Sequence, residues 1–261
     1  MKLLQIHPIM KCNRQCSFCS YRDEKTEGTL PFFVIANHLR QAAMLGCKEI
    51  KFSGGGEPLL HPHIVSIFRM AKCYGFKIYL QTNGTLLEKV HRSLCDDIRF
   101  SYGDGVYFID GHIKPDGYSY IITDTPDYEN LTRLIQYATL HDLYVRVTFD
   151  DTGVNAPSPD EVLSHIPSLH RHNGATAVPI THKHTLWNNK YFHVGQNPCL
   201  SSMETPLLGA DGYWYPCCRT QFALERKVWG YNKEMRMGTG ELPLEPYDGS
   251  SCVSCSYDLS N

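Results

Sequence analysis

No apolar run in the 261-residue sequence approaches the roughly 20 residues needed to cross a bilayer, which excludes a helical membrane span. Positive charge is not in excess either. With 25 Lys and Arg against 27 Asp and Glu, the formal net charge is -2, too little to drive counterion release from nucleic acid. The opening residues, Met1 to Pro8, are interrupted too early for a secretory h-region. No internal repeat or low-complexity tract is visible. The expectation is a cytosolic chain of one large domain, or one domain with a small appendage, at about 150 residues per domain.

Cysteine, by contrast, is plentiful, with 11 residues. A reducing compartment disfavours disulfides, so the cysteines point to metal binding or catalysis. Cys12, Cys16 and Cys19 open the chain; Cys199, Cys217, Cys218, Cys252 and Cys255 close it. Cys47, Cys73 and Cys95 stand alone near expected helix ends and read as packing residues.

Between the cysteine groups, strand-like runs at 3–7, 48–53, 76–82, 97–101, 143–149 and 175–180 alternate with helix-like segments near 31–45, 61–74, 85–94, 127–142 and 158–167. This is the βα alternation of a parallel sheet with crossover helices. Six units are too few for a closed eight-stranded barrel, so the expected fold is α/β, an open, partial (β/α)6 barrel. One parity of each strand is polar: Lys51 and Ser53; Lys77, Tyr79 and Gln81; Arg99 and Ser101; Arg146, Thr148 and Asp150. The apolar parity faces the helices, so the polar one lines the lumen, where unpartnered charges are costly. Residues 102–126 exceed the two to six of an ordinary loop, and their two aromatic runs suggest a hairpin lid. Asp150, Asp151, His182, His184 and Trp187 follow later strands and belong to the expected substrate mouth.

Cys12-x3-Cys16-x2-Cys19 follows the first strand, at the sheet end where open α/β folds place ligands. Three thiolates can hold three irons of a 4Fe-4S cubane and leave the fourth open; structural zinc wants a fourth protein ligand, and none is adjacent. Gly54-Gly55-Gly56-Glu57-Pro58 follows the second strand. It lacks the Gly-Lys-Ser/Thr ending of a phosphate loop, and a carboxylate beside exposed backbone suits an ammonium group.

On these two motifs, with the aromatic Phe18 before the last cysteine of the first, the chain resembles the radical S-adenosylmethionine superfamily. The resemblance implies a 4Fe-4S cluster on Cys12, Cys16 and Cys19. It also implies S-adenosylmethionine held by Phe18, Gly54, Gly55, Gly56, Glu57, Asn83 and Ser101, Gln81-Thr82-Asn83-Gly84 ending the third strand and Ser101 the fourth. It covers roughly residues 1–180. A linker at 181–198 leads to residues 199–261, which resemble the superfamily's Twitch appendage, a small β-hairpin/helix domain for an auxiliary 4Fe-4S cluster on Cys199, Cys217, Cys252 and Cys255; a zinc ribbon could use the same ligands. Asp211-Gly212 reads as its hairpin turn. Neighbouring strand residues face opposite ways, so only one of Cys217 and Cys218 is a ligand. The glycine spacing selects Cys217, leaving Cys218 for packing or hydrogen donation.

The chemistry implied is removal of a substrate hydrogen by a 5'-deoxyadenosyl radical. A closed auxiliary cluster favours oxidation of the substrate radical, with Asp150 as proton acceptor and Arg146 as a substrate-binding group. The layout resembles aminocyclitol dehydrogenases of the 2-deoxy-scyllo-inosamine dehydrogenase type. No leader-binding segment precedes the first strand, so a small polar substrate is expected, with flavodoxin or ferredoxin as reductant. The alternatives are an epimerase using a cysteine donor, a peptide maturase, and a non-catalytic zinc or redox-sensing protein.

Overall fold

The computed structural model describes residues 1–19, 21, 28–103, 113–149, 157–173, 184–188, 198–217 and 233–251. Among them, one sheet of eleven strands runs in the order β11-β10-β9-β1-β2-β3-β4-β5-β6-β8-β7. The strands are β1 (Leu3–Ile6), β2 (Glu49–Phe52), β3 (Lys77–Thr82), β4 (Asp97–Tyr102), β5 (Gly117–Ile122), β6 (Tyr144–Phe149), β7 (His170–Asn173), β8 (His184–Asn188), β9 (Leu207–Leu208), β10 (Tyr213–Tyr215) and β11 (Gly238–Thr239). Every pairing from β9 through β1 to β7 is parallel; β10 and β11 join antiparallel.

Three helices form because their apolar residues recur at i, i+3, i+4 and i+7, one stripe of a 3.6-residue period. The buried stripes are Ile35, His38, Leu39 and Ala42 in α1 (Phe32–Met44); Ile64, Ile67, Phe68 and Ala71 in α2 (Ile64–Cys73); and Leu131, Leu134, Ile135 and Ala138 in α3 (Tyr128–Leu140). Asp127 starts α3 by accepting from Asn130 N at 2.9 Å; Ser158 does the same for α4 (Pro159–His165), with Pro159 in its first turn. The stripes meet the apolar parity of the strands, Leu4, Ile6, Ile50, Phe52, Ile78, Leu80, Ile98, Phe100, Val145 and Val147, in one core. Phe52 and Phe68 meet at 4.8 Å between centroids. Each such side chain contributes roughly 1.5–3 kcal/mol by leaving water.

Several expectations change. The sheet exceeds six units because Gly117–Ile122, expected within a hairpin lid, is a parallel strand registered between β4 and β6. Its Tyr118, Tyr120 and Ile122 are buried in the core, so burial on the sheet wins over local pairing with the preceding aromatic run. Residues 85–94 make two 3₁₀ turns (Leu87–Lys89 and Arg92–Leu94), not a helix. Leu87 and Val90 are both buried, and their i, i+3 spacing suits the three-residue period of that turn. The expected strand at 175–180 lies outside the described residues, and residues 184–188 of the expected linker form β8, inserted between β6 and β7. Cys47 and Cys95 are core residues, but Cys73 is exposed.

The expected hairpin at 206–215 is present, with Gly212 N donating to Gly209 O at 3.0 Å. It extends the barrel sheet, since β9 pairs with β1. Helix α5 (Leu200–Glu204) precedes it. No helix among the described residues is long and apolar enough to cross a membrane.

Candidate functional site

The C-terminal ends of β1, β2 and β3 are tied together by one hydrogen-bonded network. At its centre is Glu57, 2% exposed. Its Oε1 accepts from Leu59 N at 3.0 Å and Thr82 Oγ1 at 2.7 Å, and its Oε2 accepts from Asn83 N at 2.8 Å. Burial pushes this carboxyl above its ordinary value while the three donors pull it back. The sequence suggested that Glu57 faces an ammonium; the fold instead spends its oxygens on the loop's own frame.

Asn83, 8% exposed, extends the network to the cysteine loop. Its Nδ2 donates to Asn13 Oδ1 at 2.9 Å and stands 3.9 Å from Cys12 Sγ, while its Oδ1 accepts from Thr85 N at 3.0 Å. Asn13 Nδ2 reaches Thr85 Oγ1 at 2.7 Å. Gly56 N donates to Ile9 O at 2.9 Å, and Glu57 N to Lys11 O at 3.0 Å. A Cβ on Gly56 would lie 2.1 Å from Lys11 O, so only glycine lets the second loop approach the first this closely. Thr82, within the motif that ends β3, carries this junction together with Asn13 and Thr85, which were not singled out from sequence; isolated Asn and Thr in loops carry no signal of their own.

Cys12, Cys16 and Cys19 are half-buried on this loop and form no disulfide, with Cys19 N donating to Cys16 O at 3.1 Å. By donor chemistry, three cysteine thiols outside any disulfide at the sheet's mouth fit an iron–sulfur cluster. Among the described residues, no group of three or more His, Cys, Asp or Glu is clustered closely enough to hold a metal ion. The ring of Phe18 lies against Gly103 just past β4; a Cβ there would meet it at 3.2 Å. Met10, Tyr21, Leu207, Ala210 and Tyr215 form a small second core that packs Cys19 against the C-terminal hairpin.

Below the mouth, backbone register aligns Gln81, Arg99, Gly117 and Tyr144 in one row, and Ser101, Ser119, Arg146 and Thr185 in the next. The expected polar lumen is there and is partly self-satisfied. Tyr79 Oη donates to Glu49 Oε1 at 3.1 Å, and Tyr144 Oη reaches both Asp97 oxygens at 3.0 Å. Gly117 makes the second contact possible: a Cβ would sit 2.4 Å from the Tyr144 ring. His7, just past β1, is buried edge-on to Tyr21 at 5.6 Å. Burial, with Lys51 adding repulsion, pulls its pKa down to about 3.

Of the remaining expected site residues, Gly54, Gly55 and Ser101 lie at the mouth and Arg146 in the lumen. His184 does not join the mouth: it opens β8, its Nε2 2.9 Å from Thr139 Oγ1 on α3. Cys199 and Cys217 are half-buried and form no disulfide, with Cys199 N donating to Tyr247 O at 2.8 Å. Asp150, Asp151, His182, Cys218, Cys252 and Cys255 fall outside the described residues.

Residues 6–108 match the family model described as the radical SAM superfamily. The matched segment is under half of the chain. It contains the cysteine loop, the glycine segment and the Glu57 network that joins them. Among curated relatives, the tungsten-containing aldehyde ferredoxin oxidoreductase cofactor-modifying protein of Pyrococcus furiosus is 35% identical over 89 residues, 33% of this chain and 25% of that protein. A probable GTP 3',8-cyclase of Methanothermobacter marburgensis is 36% identical over 121 residues, 45% of this chain and 38% of that protein. The chain thus spans well under half the length of these relatives. Among solved structures, SuiB of Streptococcus suis bound to precursor peptide SuiA aligns with a TM-score of 0.59 at 16% identity, covering 88% of this chain and 62% of that one. That likeness concerns the fold alone.

Proposed function

We propose that this chain is a radical S-adenosylmethionine enzyme that takes a hydrogen atom from a small polar substrate and oxidises a secondary alcohol of an aminocyclitol or sugar to a ketone. The observation that carries the reading is the union of the three-cysteine loop with the glycine segment through Glu57, Thr82 and Asn83, above a polar lumen. Cys12, Cys16 and Cys19 hold a 4Fe-4S cluster. When bound, the cluster and S-adenosylmethionine supply a 5'-deoxyadenosyl radical. Phe18, Asn83 and Ser101 surround the cofactor, and with Glu57 occupied, the backbone carbonyls of Gly54, Gly55 and Gly56 are the acceptors left for its ammonium. Arg146 binds the substrate from β6, and Asp150 takes the proton released on oxidation.

Cys199, Cys217, Cys252 and Cys255 would hold a second 4Fe-4S cluster, which would supply an electron acceptor, with flavodoxin or ferredoxin as the reductant of the first cluster in the cytoplasm. Supporting this, Tyr247 is held at the start of α5 by Cys199 and by Ser202 Oγ, 2.9 Å from Tyr247 N. The C-terminal segment therefore passes Cys199 shortly before Cys252.

Iron counting tests the cofactors. Anaerobically reconstituted protein should hold about eight irons, two four-iron clusters, and the Cys12→Ala/Cys16→Ala/Cys19→Ala variant about four. Zinc in place of the second set rejects the auxiliary cluster. Deuterium passing from labelled polyol to 5'-deoxyadenosine with a ketone product supports oxidation; solvent deuterium at an inverted carbon, lost in Cys218→Ala, selects epimerisation instead.

A further inference from the structure

Among the described residues the lumen carries both acids and cations. Its described acids, Glu49 and Asp97, sit at the N-terminal floor, each occupied by a tyrosine hydroxyl. Its cations lie on β2, β3, β4 and β6: Lys77 stands opposite Glu49, Lys51 is in register with Asp97 through Tyr79, and Arg99 and Arg146 lie further toward the C-terminal ends of their strands.

One terminal nitrogen of Arg99 donates to Gln81 Oε1 at 3.1 Å. Its Nε is buried and has no acceptor among the described residues. Asp97, two residues below on β4 and within electrostatic reach of Arg99, accepts from the Tyr144 hydroxyl with both oxygens, and Tyr144 can lean across because Gly117, registered between Arg99 and Tyr144, has no side chain. The floor is thus filled, and the guanidinium rests above it. A buried donor without an acceptor is costly, and cost retained inside a binding chamber points to an acceptor brought by the ligand. A guanidinium presents Nε–H and a terminal N–H in parallel, a fork that matches the two oxygens of a carboxylate or phosphate. Gln81, with its oxygen committed to Arg99, has only its amide N–H groups left to offer.

We propose that Arg99, supported by Gln81, recognises an anionic carboxylate or phosphate group on the substrate. This rests on the proposed use of the lumen as the substrate chamber and narrows the substrate to an acidic polyol or sugar. An unadorned polyol offers only single hydroxyl acceptors and an ammonium group offers none, so neither matches the fork with a paired set of oxygens.

Equilibrium binding separates this inference from the radical reaction, because it requires no turnover. Anaerobically reconstituted protein with S-adenosylmethionine is titrated calorimetrically with inorganic pyrophosphate, malonate and, as a neutral control, myo-inositol. At least one anion should bind. Arg99→Gln should weaken it by about tenfold or more, as expected for removing one member of a buried charged pair. Arg99→Lys, which keeps the charge and loses the fork, should fall between, and myo-inositol binding should not respond to either variant. The preferred anion distinguishes phosphate from carboxylate. Failure of both anions to bind wild type, or a change below twofold in Arg99→Lys with an unchanged melting temperature, overturns the proposal. Should Arg99→Gln fail to fold, the Arg99→Lys comparison decides alone. Absence of 5'-deoxyadenosine in a separate turnover assay would instead overturn the proposed reaction and leave the binding result standing.

Discussion

Replacing Glu57 by Gln changes one atom's worth of chemistry at the junction of three loops, and the hydrogen bonds determine the cost. If the amide nitrogen replaces Oε2, its N–H groups confront Asn83 N, which now stands at 2.8 Å as a donor. If it replaces Oε1, it confronts Leu59 N at 3.0 Å; the Thr82 hydroxyl can rotate, but the backbone N–H cannot. Either way one buried backbone donor loses its acceptor, at about 1–3 kcal/mol. The surviving bonds fall from charge-assisted to neutral strength, about 1 kcal/mol each. Relief from burying a charge returns part of this, leaving a destabilisation of about 2–4 kcal/mol. Urea unfolding of the metal-free protein under reducing conditions measures it, and thermal melts should drop by roughly 2–4 °C per kcal/mol for a chain of this size. The cysteine loop should also loosen, seen as faster alkylation of Cys12, because Asn83 loses its anchor. A Glu57→Gln variant within 0.5 kcal/mol of wild type, with Cys12 no more reactive, would refute Glu57 as the frame of this site.

His7 imposes a pH dependence. Its folded pKa of about 3 lies below its ordinary 6.5, so between these values the unfolded chain binds the extra proton. Its contribution is complete above pH 6.5 and declines as pH falls toward 3, by up to about 1.4 kcal/mol per unit. His7→Gln should therefore flatten the acid limb of a stability–pH curve measured from pH 7 to 4.5, and an unaltered limb would count against a neutral, buried His7. Gly117→Ala places a methyl 2.4 Å from the Tyr144 ring, which must leave Asp97; a loss of about 1–3 kcal/mol is expected. Tyr144→Ala should absorb most of that loss in the double variant, whereas strict additivity in a thermal-melt cycle would show that the ring is not what Gly117 accommodates.

The amino-acid sequence alone determined the parts whose physics is local or periodic. The i, i+3, i+4, i+7 stripes of α1, α2 and α3, the polar alternation of the lumen strands, and the cysteine and glycine motifs were legible because helix and strand periods and ligand spacing act over a few residues. Tertiary structure decided the rest. Tyr118 and Tyr120 could serve a hairpin or a central strand equally well by pattern, and only burial against β4, β6 and α3 makes them β5. Glu57 carried the right charge for an ammonium, yet Thr82 and Asn83, some 25 residues away in sequence, claim its oxygens once β3 lies beside β2. Which polar group is free for chemistry depends on which donors the fold brings to it, and that is settled by contacts between distant segments.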